Sequence, residues 1–179
     1  QNNPQAQFNL GRLYESGERV AQDFNKVIKW YKAAAENGNE LAQLKLGTHF
    51  EKGKGVTKSF KKAAKWYKLA ATQGNEIAQF NLGYMYSRGI GVQRNYKEAV
   101  KWYRLSAGQG NIIAQYNLGV FYIEGKGVRQ SYSKAASWFR LAAKRGDSEA
   151  QFRLGMMYED GDGVEKNPEK AVKLYRFAA

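Results

Sequence analysis

The six residues AQFNLG occupy positions 6–11 and recur unchanged at 78–83, with near copies AQLKLG at 42–47, AQYNLG at 114–119 and AQFRLG at 150–155. The five starts, 6, 42, 78, 114 and 150, are separated by a constant 36 residues without insertion or deletion. A fixed period of that size marks a stacked repeat array, in which each small unit buries its apolar face against its neighbours. The 179 residues, 43% of them hydrophobic, therefore read as one elongated domain of five units, at about 3–38, 39–74, 75–110, 111–146 and 147–179, the last incomplete.

Each unit carries two helix starts. Asn3, Asn39, Asn75, Asn111 and Asp147 form one column and Asp23, Ser59, Asn95, Ser131 and Asn167 a second. Such side chains accept hydrogen bonds from backbone N–H groups that the first turn of a helix leaves unpaired. The two prolines, Pro4 and Pro168, each follow a cap, at the first helical position where proline is best tolerated. Glycine columns at 17, 53, 89, 125 and 161 and at 38, 74, 110 and 146 predict the two stops. Between the helices four copies read G-x-G-V, with valine at 20, 56, 92, 128 and 164 expected to plug the turn. Arg19 replaces the second glycine in the first copy, so that turn is expected to be strained or differently shaped.

The helical faces follow from spacing. Ala42, Leu46 and Phe50 recur every four residues, with Gly47 permitting close approach of the second helix. There, Ala63, Ala64, Trp66, Tyr67, Leu69, Ala70 and Ala71 leave a narrow polar strip of Lys61, Lys65, Lys68 and Thr72. A helix apolar over most of its circumference needs neighbours on several sides. The tryptophans at 30, 66, 102 and 138 are expected to form a buried ladder, each worth roughly 3 kcal/mol or more.

The pattern A-Q-x-x-L-G-x-x-Y…G-x-G-V…A-x-x-W-Y-x-x-A-A…G is filled by Ala78, Leu82, Gly83, Tyr86, Gly89, Gly91, Val92, Ala99, Trp102, Tyr103, Ala107 and Gly110. It resembles the Sel1-like repeat family, a relative of the tetratricopeptide repeat, over the whole chain. The resemblance implies an all-α, α/α superhelical solenoid of helix-turn-helix units whose first helices line the concave side. It further implies a protein-binding role, chiefly in bacterial envelope, secreted and host-interaction proteins and in eukaryotic quality-control adaptors. One branch of that family links each repeat by cysteines; this chain has none. A bacterial protein acting in the periplasm or after secretion is the expectation, with the cytoplasm left open. Because the chain starts at Gln1 and stops within the repeat phase, a processed protein or a piece of a longer array is expected. The apolar end at Phe177, Ala178 and Ala179 then calls for further chain or for self-association through uncapped terminal repeats.

Chemistry-bearing residues are sparse. Without cysteine and with one histidine, neither a nucleophilic triad nor a histidine metal site can be assembled, and no enzyme activity, metal or cofactor is expected. His49 stands in a column otherwise filled by Leu13, Met85, Phe121 and Met157, which reads as a partly buried substitute for an apolar residue. The S-x-x-K pairs at Ser59–Lys62 and Ser131–Lys134 lack the motifs that accompany them in penicillin-recognising enzymes, and their serines are explained as caps. The D-G-D-G at 160–163 reads as an ordinary turn and not a calcium loop.

Two surfaces remain. On the first helices Leu41, Ile77, Ile113, Tyr84 and Val120 would form an apolar stripe edged by Lys45, Asn81, Arg88 and Asn117, suited to a protein or peptide ligand. The alternative is that the side chains at 41, 77 and 113 pack into the junction with the preceding repeat. On the second helices, one eight-residue window per unit concentrates the whole net charge of +13, in a stripe including Lys29, Lys61, Lys65, Lys101, Arg104, Arg140 and Lys173. It could attract nucleic acid or an acidic surface. Lysines are equally the natural solvated face of such helices, and nucleic acid is the disfavoured partner because no readers stand beside the charge.

Overall fold

The computed structural model describes residues 3–179. They form ten helices: α1 (Pro4–Ser16), α2 (Phe24–Glu36), α3 (Glu40–Lys52), α4 (Phe60–Thr72), α5 (Glu76–Arg88), α6 (Tyr96–Gly108), α7 (Ile112–Glu124), α8 (Tyr132–Lys144), α9 (Ser148–Asp160) and α10 (Pro168–Ala178), with no strand among the described residues. They gather into two compact units, Gln1–Arg94 and Asn95–Ala179.

Local chemistry sets every boundary. All ten predicted caps accept from backbone N–H groups of the first turn, as in Asn39 Oδ1 from Ala42 at 2.8 Å and Asp147 Oδ1 from Ala150 at 2.7 Å. Ser59 and Ser131 accept from the Lys62 and Lys134 N–H groups at 3.3 and 3.4 Å, so the S-x-x-K serines are spent as caps. First helices stop at glycines in the left-handed region, and second helices one residue before the predicted glycine, at Asn37, Gln73, Gln109 and Arg145. In the G-x-G-V turn the second glycine has positive φ and lies against the preceding second helix. A Cβ at Gly127 would run into the Tyr96 carbonyl. Arg19 does not adopt positive φ, so its turn is differently shaped rather than strained. The valines plug their turns incompletely: Val20 is exposed and the other four are half-buried.

The core differs from the expected tryptophan ladder. Trp102 is buried, but Trp30, Trp66 and Trp138 are half-buried, while Tyr31, Tyr67, Tyr103 and Phe139 are fully enclosed. Glycines on the first helices explain the exchange. Gly47 presents bare backbone to the Tyr67 ring, where an added Cβ would lie 2.6 Å away; Gly11 faces Tyr31 and Gly119 faces Phe139 in the same way. A flat ring fills that slot at high packing density and pushes the larger indole to the edge of the helix pair. Leu69, expected on the buried flank, is exposed, as are Leu105 and Leu141 at the equivalent positions.

A side-chain ladder ties the first two hairpins to their own starts. Asn37 Nδ2 donates to Gln7 Oε1 at 3.0 Å and Gln73 Nε2 to Gln43 Oε1 at 2.7 Å. The equivalent of Gln73 in the fourth repeat is Arg145, whose Nη1 turns to the Gly110 carbonyl. Buried Gln115 Oε1 is thereby left without a partner among the described residues. An unpaired buried acceptor costs about 1–3 kcal/mol. Arg145→Gln is expected to stabilise the chain by about 1 kcal/mol, read as a higher urea midpoint at unchanged slope; a lower midpoint would refute the ladder.

Candidate protein-binding surface

The unit Gln1–Arg94 presents Leu41, Ile77 and Tyr84 outward from α3 and α5, with Ile77 54% and Leu41 46% exposed. These side chains alternate with the buried Ala42, Leu46, Ala78 and Leu82, because a helix turned inward by its alanine and leucine face must turn positions 41, 77 and 84 away. Arg88 lies over the Tyr84 ring with its guanidinium carbon 5.9 Å from the centroid, which holds a cation at the apolar edge. Asn81 is half-buried beside it. Lys45 is also half-buried, its ammonium 3.0 Å from Glu15. In the unit Asn95–Ala179, Ile113 is 56% exposed, whereas Asn117 is half-buried and Val120 packs against the Phe139 core. The exposed isoleucines and Leu41 thus face solvent rather than filling a junction.

His49 is fully buried, and it is bound by polar contacts rather than sitting as an apolar stand-in. Its Nδ1 lies 2.7 Å from the Lys54 carbonyl and its Nε2 3.2 Å from Glu15 Oε1. Both neighbours are acceptors, so each ring nitrogen faces an oxygen. Tyr31 donates to the other carboxylate oxygen at 2.6 Å, which Lys45 shares. The His49 bond, then those from Tyr31 and Lys45, hold the Glu15 carboxyl far below the ordinary carboxylate range against the opposing effect of burial. Burial and the carboxylate together push the Tyr31 hydroxyl up. A cavity of about 170 Å³ beside the cluster is lined by Glu15, Lys45, Thr48, His49, Lys52 and Lys54. Sequence reasoning missed this cluster. The available signal was a glutamate 16 residues before the core tyrosine, a pairing repeated by Glu51 with Tyr67 and Glu159 with Tyr175, both at 2.5 Å. The Glu159 bond pushes Tyr175 up to about 12.

Both nitrogens of His49 are committed to structural partners, and among the described residues no group of three or more acidic or histidine side chains is placed to hold a metal. No helix among them is long and apolar enough to cross a membrane. The expected basic stripe is solvent-exposed, although Arg104 and Arg140 donate to the Tyr122 and Tyr158 hydroxyls at 2.6 and 3.3 Å.

The Sel1 repeat family model matches residues 4–39, 41–75, 77–111, 112–147 and 148–179. The chain belongs to the Sel1 repeat family. Sel1 repeat proteins generally mediate protein–protein interaction, and the repeat is a non-enzymatic scaffold type. Among solved structures, a Sel1 repeat protein from Oxalobacter formigenes is 38% identical, with 99% of this chain and 73% of that one covered and a TM-score of 0.94. A protective antigen of uropathogenic Escherichia coli strains with an SLR fold is also 38% identical, at a TM-score of 0.93 over 99% of this chain; the Sel1 repeat chain described here spans 38% of its length. Cysteine-rich protein B of Helicobacter pylori is 28% identical over 62% of this chain and 87% of its own, at a TM-score of 0.53. No curated protein matches the Sel1 repeat chain in sequence. These likenesses assign its ten helices to the α/α repeat solenoid class.

Proposed function

We propose that this chain works as one repeat array, a non-enzymatic scaffold or adaptor binding a partner protein or peptide along the first-helix face, the concave side of such arrays. The binding residues are Leu41, Lys45, Ile77, Asn81, Tyr84, Arg88, Ile113, Asn117 and Val120. The observation that carries the reading is the exposure of Ile77 and Ile113, each more than half open to solvent on a helix whose other face is core. Large apolar side chains set among amides and cations match the anatomy of a binding patch. Likeness to a protective antigen of uropathogenic Escherichia coli strains supports work in the bacterial envelope, secretion, toxin immunity or host contact, in the periplasm or outside the cell.

The test is partner capture from lysate and envelope extract with the wild type beside an Ile77→Glu, Ile113→Glu double variant. Both positions are exposed, so the variant is expected to keep its melting midpoint. One protein retained by the wild type and lost by the variant, at unchanged salt, is the expected result. Nucleic acid retained equally by both and eluted by moderate salt would overturn the reading in favour of the basic second-helix stripe.

A further inference from the structure

The second-helix side of the unit Gln1–Arg94 holds an open groove of about 500 Å³ between α2 and α4. Its floor is apolar, made by Ile28, Phe50, Val56 and half-buried Trp66. Its rim is basic, made by Lys32, Lys62 and Lys65, with one carboxylate, Glu36, 3.8 Å from Lys32. Lys62 leans across the floor, its ammonium 5.3 Å from the Phe50 ring centroid.

The lining of the groove differs from the equivalent positions of the other unit at two side chains. In the unit Asn95–Ala179 an arginine and a tyrosine 18 residues apart bridge the corresponding positions: Arg104 donates to the Tyr122 hydroxyl and Arg140 to the Tyr158 hydroxyl. Lys32 and Phe50 stand at those two positions in the first groove. Phenylalanine offers no hydroxyl and lysine no guanidinium fork, so no such bridge forms and the apolar floor stays accessible.

We propose that this groove binds an acidic linear segment of a partner protein, placing one apolar side chain against Trp66 and Phe50 while flanking carboxylates meet Lys32, Lys62 and Lys65. Charge complementarity chooses the occupant, since three ammonium groups face a single carboxylate. The recessed floor separates a peptide from a polyanion: a phosphate chain would neutralise the rim and leave the floor in water. The volume suits a short extended segment rather than a folded surface. This site is separate from the first-helix face, so its failure would leave that reading standing.

The experiment is a fluorescence-polarisation titration of the full chain with a labelled peptide of sequence EDLFED and its neutral analogue QNLFQN. Saturable binding of the acidic peptide, about tenfold tighter than the analogue at low salt, is expected. Lys32→Arg with Phe50→Tyr installs the bridge seen at Tyr122 and should weaken binding by about tenfold at an unchanged melting midpoint. Lys62→Gln with Lys65→Gln, both at exposed positions, should weaken it comparably while keeping the floor. Ile77→Glu with Ile113→Glu should leave it unchanged. Absence of saturation, equal binding by the bridged variant, or a single-stranded oligonucleotide of equal charge binding as tightly would each overturn the proposal.

Discussion

Gly127→Ala is expected to destabilise the protein by about 3 kcal/mol, the sum of a residue forced into the left-handed region and an overpacked contact. Gly127 has φ 70°, and its added Cβ would meet the Tyr96 carbonyl and the Lys97 amide, backbone that cannot step aside without shifting the start of α6. Gly146 provides the control. It has φ 88° but nothing within 4 Å of the added carbon, so Gly146→Ala should cost only the conformational part, about 1 kcal/mol. Urea unfolding monitored by tryptophan fluorescence separates the two. Equal losses would mean that the loop does not need its close approach to the preceding helix.

Glu15→Gln is the second large effect, at about 2 kcal/mol near neutral pH. Removing one member of a buried charge cluster costs about 3–5 kcal/mol, and Glu15 keeps 23% of its side chain exposed, which screens part of that. The loss depends on pH with a definite sign. The folded chain holds the Glu15 carboxyl below its ordinary value of 4.5, so the unfolded chain binds the proton more readily. The stabilisation is therefore fully present above that ordinary value and is lost as pH falls towards the folded one. Melting curves of wild type and variant should draw together below about pH 4; a constant gap from pH 7 to 3 would refute the assignment. The fourth and fifth repeats suggest the rescue. Ile123, Phe139 and Met157, each 108 residues further on, occupy the positions of Glu15, Tyr31 and His49 and share one apolar cluster, so all three are apolar at once. The triple variant Glu15→Ile, Tyr31→Phe, His49→Met should therefore lie within about 1 kcal/mol of wild type, since replacing all three strands no buried group.

The equivalence between those two clusters shows why the first could not be read in advance. Down the chain the column of Glu15 reads Glu, Glu, Ser, Ile, Glu, which looks like variable surface, and that of His49 is otherwise apolar. Their contact joins α1 to α3 across 34 residues, and only packing brings the two together. The candidate binding face was more legible. Helical spacing alone turns Leu41, Ile77, Tyr84 and Ile113 away from the alanine and leucine face, and they are exposed. Spacing did not reveal that Lys45 is drawn into the Glu15 cluster or that Val120 leans on the core.

By itself the sequence determined the five-unit period, all ten helix starts and the left-handed glycine stops of the first helices. These are local matters: a cap side chain reaches N–H groups two or three residues away, and a glycine column permits its own φ whatever lies around it. The tertiary structure alone decided which aromatic column is enclosed, Tyr31, Tyr67, Tyr103 and Phe139 rather than the tryptophans, and that a groove lies beside Phe50 and Lys32. Both outcomes depend on what stands opposite. A glycine slot on the facing helix admits a flat ring, and a groove forms only where helices distant in sequence are brought side by side, because burial is a property of pairs of surfaces and not of positions along the chain.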